Sequence, residues 1–214
     1  VVTVALGLVW GMAQGMRHAL EPDHLAAVST LVASRRSARS AASYALAWGL
    51  GHALVLLAFG GVLLLVRGRV PDRLAAGFEL VVAAMLVGLG VRGLRLALSR
   101  ARPSHADGHA HAKHVTIGRT PLLVGCVHGL AGSGALAALV IPGMPSALAG
   151  LLYMALYGGG AALGMAMLAG VAGVPMARLV RTCGGVPILL GATGALSLMF
   201  GLAWGWAAAG VALS

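Results

Sequence analysis

Four metal-binding side chains fall within one short stretch, His18-Ala19-Leu20-Glu21-Pro22-Asp23-His24. The residues around it, from Val1 to about Val32, are otherwise apolar and read as a membrane-spanning segment. Ionisable groups at bilayer depth are expensive, and their default reading is functional. Imidazoles with one or two carboxylates suit a divalent first-row metal such as nickel, cobalt or zinc better than sodium or magnesium. Imidazole binds metal as the neutral ring, so binding should weaken as the rings protonate below about pH 6.5. The competing reading makes His18 and His24 interfacial residues at a helix end.

Proline explains how this stretch could act as one site. On an unbroken helix, advancing about 100° per residue, His18 and His24 point to different faces. Pro22 has no N–H, and its ring clashes with the carbonyl four residues back, that of His18. The helix should therefore kink or unwind between His18 and Asp23. Asp23 and His24 would then sit in the first turn of a second half-helix, whose dipole favours a carboxylate. Glu21 falls at the break, as a possible outer partner of the site. Transporters build midplane ion sites from such broken helices.

Two further histidines join the candidate set. His52 lies near the middle of the second apolar run, between Gly49 and Ala53, with Gly51 beside it. Small residues let helices approach closely, so His52 is a candidate ligand; the alternative is a histidine bonded to a backbone carbonyl. The fourth run contains Gly125-Cys126-Val127-His128-Gly129-Leu130-Ala131-Gly132-Ser133-Gly134. His128 is a candidate fourth ligand or gate, and Ser133 could add a hydroxyl. Outside the apolar runs, His105, Asp107, His109, His111 and His114 crowd one polar segment. Such a tract is a low-specificity metal binder suited to capture or sensing, or else a solvated loop. Glu79 is read as snorkelling or pairing with Arg73. Cys126 and Cys183, with no CxxC between them, are read as inert buried thiols.

The run from Arg17 to Val28, together with Leu50-Gly51-His52, resembles the signature of the nickel/cobalt transporter (NiCoT) family, above all its short, UreH-like branch. The resemblance is specific over about residues 11–60 and loose afterwards. It implies nickel or cobalt as the transported ion, with His18, Asp23, His24 and His52 at the site. The chain departs from the longer relatives in its second half. That half has no acidic residue, where the resemblance would place an Asp-Thr motif.

These side chains must be positioned by membrane helices. Hydrophobic residues make up 59% of the 214 and charged ones 9%, against about 25% charged in a soluble domain. Six apolar runs follow one another, near 1–32, 41–66, 74–98, 121–141, 147–171 and 186–209. Each approaches or exceeds the roughly 20 residues a spanning helix needs. An offset of 110 residues brings Gly15, His18 and Leu20 onto Gly125, His128 and Leu130, and Ala45, Leu46 and Gly49 onto Ala155, Leu156 and Gly159. The expected fold is thus an all-α integral membrane protein, a 3+3 inverted repeat with helices 1 and 4 broken. Its parts are residues 1–102, a His-rich loop at 103–119, and residues 120–214. Glycines 129, 132 and 134 would carry the second break.

The net charge of +10 suggests nucleic acid at first sight. The arginines instead cluster between apolar runs and aromatics are sparse, so no nucleic-acid partner is expected. Arg35, Arg36 and Arg39, then Arg92 to Arg119, then Arg178 and Arg181 fall on one side. Positive-inside bias makes that side cytoplasmic, with both termini outside. The sequence therefore reads as a multi-pass permease of the plasma membrane for Ni2+ or Co2+. The ion is cargo rather than resident cofactor, there is no enzymatic activity, and metalloenzyme accessory proteins are possible partners. Two alternatives remain: an exporter of small organic or sulfur anions using Arg17, and a non-transporting accessory protein that loads metal into an enzyme.

Overall fold

The computed structural model describes residues 2–33, 35, 37–66, 70–101, 119–140, 144–182 and 185–213. Side chains are described throughout these except at 2–5, 100, 101, 132–140, 176, 177 and 179–182. Seven helices make up the described fold: α1 (Val2–His18), α2 (Pro22–Val32), α3 (Ala38–Val66), α4 (Asp72–Ala101), α5 (Arg119–Val140), α6 (Ala147–Thr182) and α7 (Val186–Leu213). No strand occurs among the described residues. Four of the helices, α3, α4, α6 and α7, are long and apolar enough to cross a membrane. The expected His-rich loop, with His105, Asp107, His109, His111 and His114, lies outside the described residues.

The first apolar run is divided as its proline requires: α1 ends at His18 and α2 begins at Pro22. At about 1.5 Å per residue the two pieces are about 25 Å and 16 Å long, so the break falls well inside their combined length. The expected second break is absent, and this corrects the sequence reading. Helix α5 runs continuously through Gly129, Gly132 and Gly134. Glycine permits a bend but keeps its N–H, so the hydrogen-bond ladder continues; only proline removes a donor. Helix α6 extends past the expected end near residue 171, passing through Pro175 to Thr182.

Close backbone approach organises the packing. Helix α1 lies along α6, α3 along both α5 and α6, and α4 along α7. At each seam glycines face the neighbouring main chain. A β-carbon on Gly15 would collide with the Tyr157 carbonyl, and one on Gly160 with that of Met12. Between α3 and α5 the same holds for Gly125 against Trp48 and for Gly51 against Leu122. Gly90 and Gly194 stand against each other's carbonyls between α4 and α7. Lipid tails are as apolar as leucine, so membrane helices associate through such contacts and through polar bonds. Two such bonds tie α7 to α2 and to α4. Thr30 Oγ1 donates to the Thr193 carbonyl at 3.0 Å, sharing its hydrogen with the carbonyl of Ala26 in its own helix at 2.9 Å, and Ser197 Oγ donates to that of Leu86 at 2.9 Å. The largest buried cluster is alanine-rich, with Trp48, Leu86 and Met165 as its bulky members.

The seams set a clear contrast between glycines. Gly125→Val should lower the stability of the purified protein by about 1–3 kcal/mol or more through overpacking. Gly88, whose β-carbon would meet nothing within 4 Å, should accept alanine with no loss and a gain of up to about 1 kcal/mol. Thermal unfolding midpoints in detergent check both; equal midpoints for the two variants would refute the seam.

Candidate metal centre

The site starts from the local chemistry of the break. Pro22 cannot donate to the His18 carbonyl, which accepts instead from the Glu21 N–H at 3.0 Å. The preceding Leu20 N–H bonds Arg17 at 2.9 Å, so α1 closes on a tight three-residue turn. Glu21 is then extended, at φ −65° and ψ 146°, and the chain re-enters a helix with Pro22 in the first turn. Proline is well suited there because that position needs no N–H donor. The extended step at Glu21 re-aims the chain, so His18, Asp23 and His24 converge on one point.

Helices α3 and α5 supply the rest. His52 is fully buried near the middle of α3, and His128 is buried on α5. Gly125 and Gly129 lie against the backbone of His52, which draws His128 beside it. These α5 glycines serve close approach rather than a helix break. The ring of His24 lies 4.3 Å from that of His18, 4.2 Å from that of His128 and 5.2 Å from that of His52. Four imidazoles from four helices thus surround one point.

Asp23 orders them. Its Oδ1 lies 3.1 Å from His24 Nδ1 and its Oδ2 2.9 Å from His128 Nε2. A carboxylate only accepts, so each neutral ring donates its N–H to Asp23 and turns its other nitrogen, a lone pair, away. His24 Nε2, His128 Nδ1, His18 Nε2 and both nitrogens of His52 are buried with no hydrogen-bond partner among the described residues. Buried polar atoms are nearly always paired, so several bare nitrogens in one place call for a ligand. His18 Nδ1 lies 2.9 Å from Glu21 Oε2 in an ion-pair geometry.

Two overlapping groups can hold a divalent ion: His18, His24 and His52, and Asp23, His24 and His128. In each, the ligand atoms lie within 4.8 Å of one another. A carboxylate that fixes the ring orientation of ligating histidines is the usual outer support of such a centre.

The five expected ligands therefore come together, and Glu21 stands at their edge. Ser133 belongs to α5, but its side chain is outside the described set. Glu79, half-buried on α4, is in neither group. Cys126 is a free, half-buried thiol, more accessible than the expected buried one, and Cys183 lies outside the described residues. Arg17 is exposed and reaches Gln14 Oε1 at 3.5 Å. Two aromatic neighbours were missed from sequence. Trp48 is fully buried, 5.5 Å from the His24 ring and 5.4 Å from that of His128. Its spacing four residues before His52 places both on one helix face, which was the available signal. Tyr157 packs 5.5 Å from the His18 ring, and nothing in its local sequence marks it.

Known proteins share this chain's sequence along most of its length. Urease accessory protein UreH of Bacillus sp. (strain TB-90) is 31% identical over 201 residues, 91% of this chain and 88% of that protein. Chloroplast protein FOR GROWTH AND FERTILITY 2 of Arabidopsis thaliana is 31% identical over 164 residues, 72% of this chain and 44% of that one. FOR GROWTH AND FERTILITY 1 of the same plant is 30% identical over 161 residues, 69% of this chain and 44% of its own. No family model and no solved structure matches the chain. Similarity of this extent and coverage places the chain in the family of the urease accessory protein UreH.

Proposed function

We propose that this protein is a multi-pass permease of the plasma membrane for a divalent transition metal, with nickel first and cobalt second. The observation that carries the reading is the convergence of unpartnered histidine nitrogens around Asp23. The name of its relative, a urease accessory protein, agrees with nickel, and so does the resemblance of Arg17–Val28 to the nickel/cobalt transporter signature. His18, Asp23, His24, His52 and His128 bind the ion. The His-rich segment at 103–119 concentrates metal on the cytoplasmic side.

In this reading α1 with α2, α3 and α4 form the first half of an inverted repeat, and α5, α6 and α7 the second. Reciprocal glycine contacts support it. Gly15 faces α6 as Gly125 faces α3, and Gly160 faces α1 as Gly51 faces α5. The α3–α6 seam repeats the exchange, with Gly49 against Ala162 and Gly158 against Ala53. Gly49 thus answers to Gly158, one residue short of the Gly159 that a uniform offset selects.

A second reading has one observation in its favour: the relative's name describes an accessory protein. Such a protein would bind nickel at this cluster and hand it to a metalloenzyme partner without moving it across a membrane. Flux separates the two. In proteoliposomes of the purified protein, nickel or cobalt should enter faster than zinc or manganese. His18→Ala and Asp23→Asn should each reduce that flux by about tenfold or more, the scale of losing a ligand or its orienting partner. Nickel binding without flux would select the accessory reading; no binding at all would sink both.

Protons and metal compete for the same ring lone pairs. Nickel affinity should therefore fall as pH is lowered, with the loss coming below about pH 6.5, because burial disfavours the charged rings. Titration calorimetry from neutral pH down to the acid limit of the folded protein checks it, and an affinity that does not fall before unfolding would exclude histidine as the main ligand.

A further inference from the structure

The cluster contains two ligand groups rather than one, and His24 belongs to both. Its two nitrogens divide between them: Nδ1 faces Asp23, and Nε2 is the bare atom left for His18 and His52. The two groups also differ in access. His18 is partly exposed, and its neighbour Glu21 has 52% of its side chain exposed. Leu20 and Pro22 beside it are exposed as well. On the other side, His128 and Asp23 lie deep, and Trp48 covers the rings of His24 and His128. Behind Trp48, Tyr44 is buried with the Arg35 guanidinium 3.9 Å from its ring centroid.

We propose that the two groups are successive positions for a single ion: an outer one at His18, His24 and His52, entered past Glu21, and an inner one at Asp23, His24 and His128. The inference rests on the metal reading above and adds an order of events to it. The ion first meets the exposed Glu21 carboxylate, which is paired with His18 and is the first anionic group on the approach. It then takes the outer position, where lone pairs already stand free and no existing hydrogen bond is broken. To advance, it displaces the N–H bonds that His24 and His128 make to Asp23; each hydrogen passes to the other nitrogen of its own ring, His24 Nε2 as the ion vacates it and His128 Nδ1, so both rings stay neutral and the ion gains the carboxylate as a ligand. Because the two groups adjoin at His24, the ion can take Asp23 or His128 before it releases His18 and His52, and is never bare in the apolar interior. Trp48, backed by Tyr44 and Arg35, is the barrier on the far side and has to move for release.

The test uses the full chain with His105, His109, His111 and His114 replaced by alanine, so that binding reports the intramembrane cluster. Nickel affinity in detergent and nickel flux in proteoliposomes are compared for this parent, His128→Ala, His128→Gln and His52→Ala. With the ion resting in the outer position at equilibrium and passing through the inner one only in transit, both His128 variants should lose about tenfold or more of the flux while their dissociation constants stay within about threefold of the parent's. Loss of a merely supporting residue would instead weaken affinity about 10–100-fold. His52→Ala, which removes an outer ligand, should weaken affinity by about tenfold or more. Cobalt(II) absorption gives a second readout: the visible bands of the parent should persist in the His128 variants and change in His52→Ala. Parallel loss of affinity and flux at His128 would overturn the two-position scheme in favour of one undivided site. Unchanged flux at His128 would overturn it too. A parent that binds no nickel would show that the metal reading itself has failed, before the question of order arises.

Discussion

Pro22 has no hydrogen to give the carbonyl of His18, and the assembly of the centre depends on that missing bond. The carbonyl turns to Glu21, α1 stops, and the chain takes one extended step before it can be helical again. Without that step His18 and His24 would face different directions on a single cylinder. With it, their rings lie 4.3 Å apart. The second element of the constraint is Asp23, placed in the first turn of α2, where a carboxylate is favoured by the helix dipole. Both its oxygens are used on imidazoles from different helices. One side chain thus fixes the orientation of two rings and leaves each with a free nitrogen.

That arrangement has no structural economy of its own. Each polar atom buried without a partner costs about 1–3 kcal/mol, and the nitrogens of His52, with those of His18, His24 and His128, supply several. The polar bonds that do serve packing look different: Thr30, Thr193 and Ser197 are satisfied by backbone carbonyls. The contrast between satisfied hydroxyls and unsatisfied imidazoles in one core is the physical argument that the imidazoles serve a ligand.

Much of the centre was legible in the sequence because its determinants are local. A proline between two histidines dictates a break, and histidine or aspartate in an apolar run dictates a buried polar site. His52 and His128 were legible through their depth and their small neighbours. What was not legible depended on geometry between helices. Glycines 129, 132 and 134 read as a second break because glycine permits one, whereas Gly129 lies against the His52 carbonyl in a continuous α5. Their sequence cannot say whether a missing side chain is there for bending or for contact. Trp48 and Tyr157 became neighbours of the site only when α3 and α6 were brought against the break. Asp23 read as a ligand, and its pairing with two rings appears only with α5 in place.

The position of Arg17 also bears on the chemistry. A small-anion site built on that guanidinium would need it turned inward, with other donors around it. Arg17 instead is exposed, its guanidinium 3.5 Å from Gln14 Oε1, while the inward space is lined by lone pairs and a carboxylate. Lone pairs repel an anion and attract a cation, so the lining itself favours a cation over an anion. The number of ligands then bears on the kinetics. On the proposed reading, three donors to a group would leave coordination positions for water. Structural metal sites are closed by four protein ligands; an incomplete set would hold an ion less tightly than such a cage.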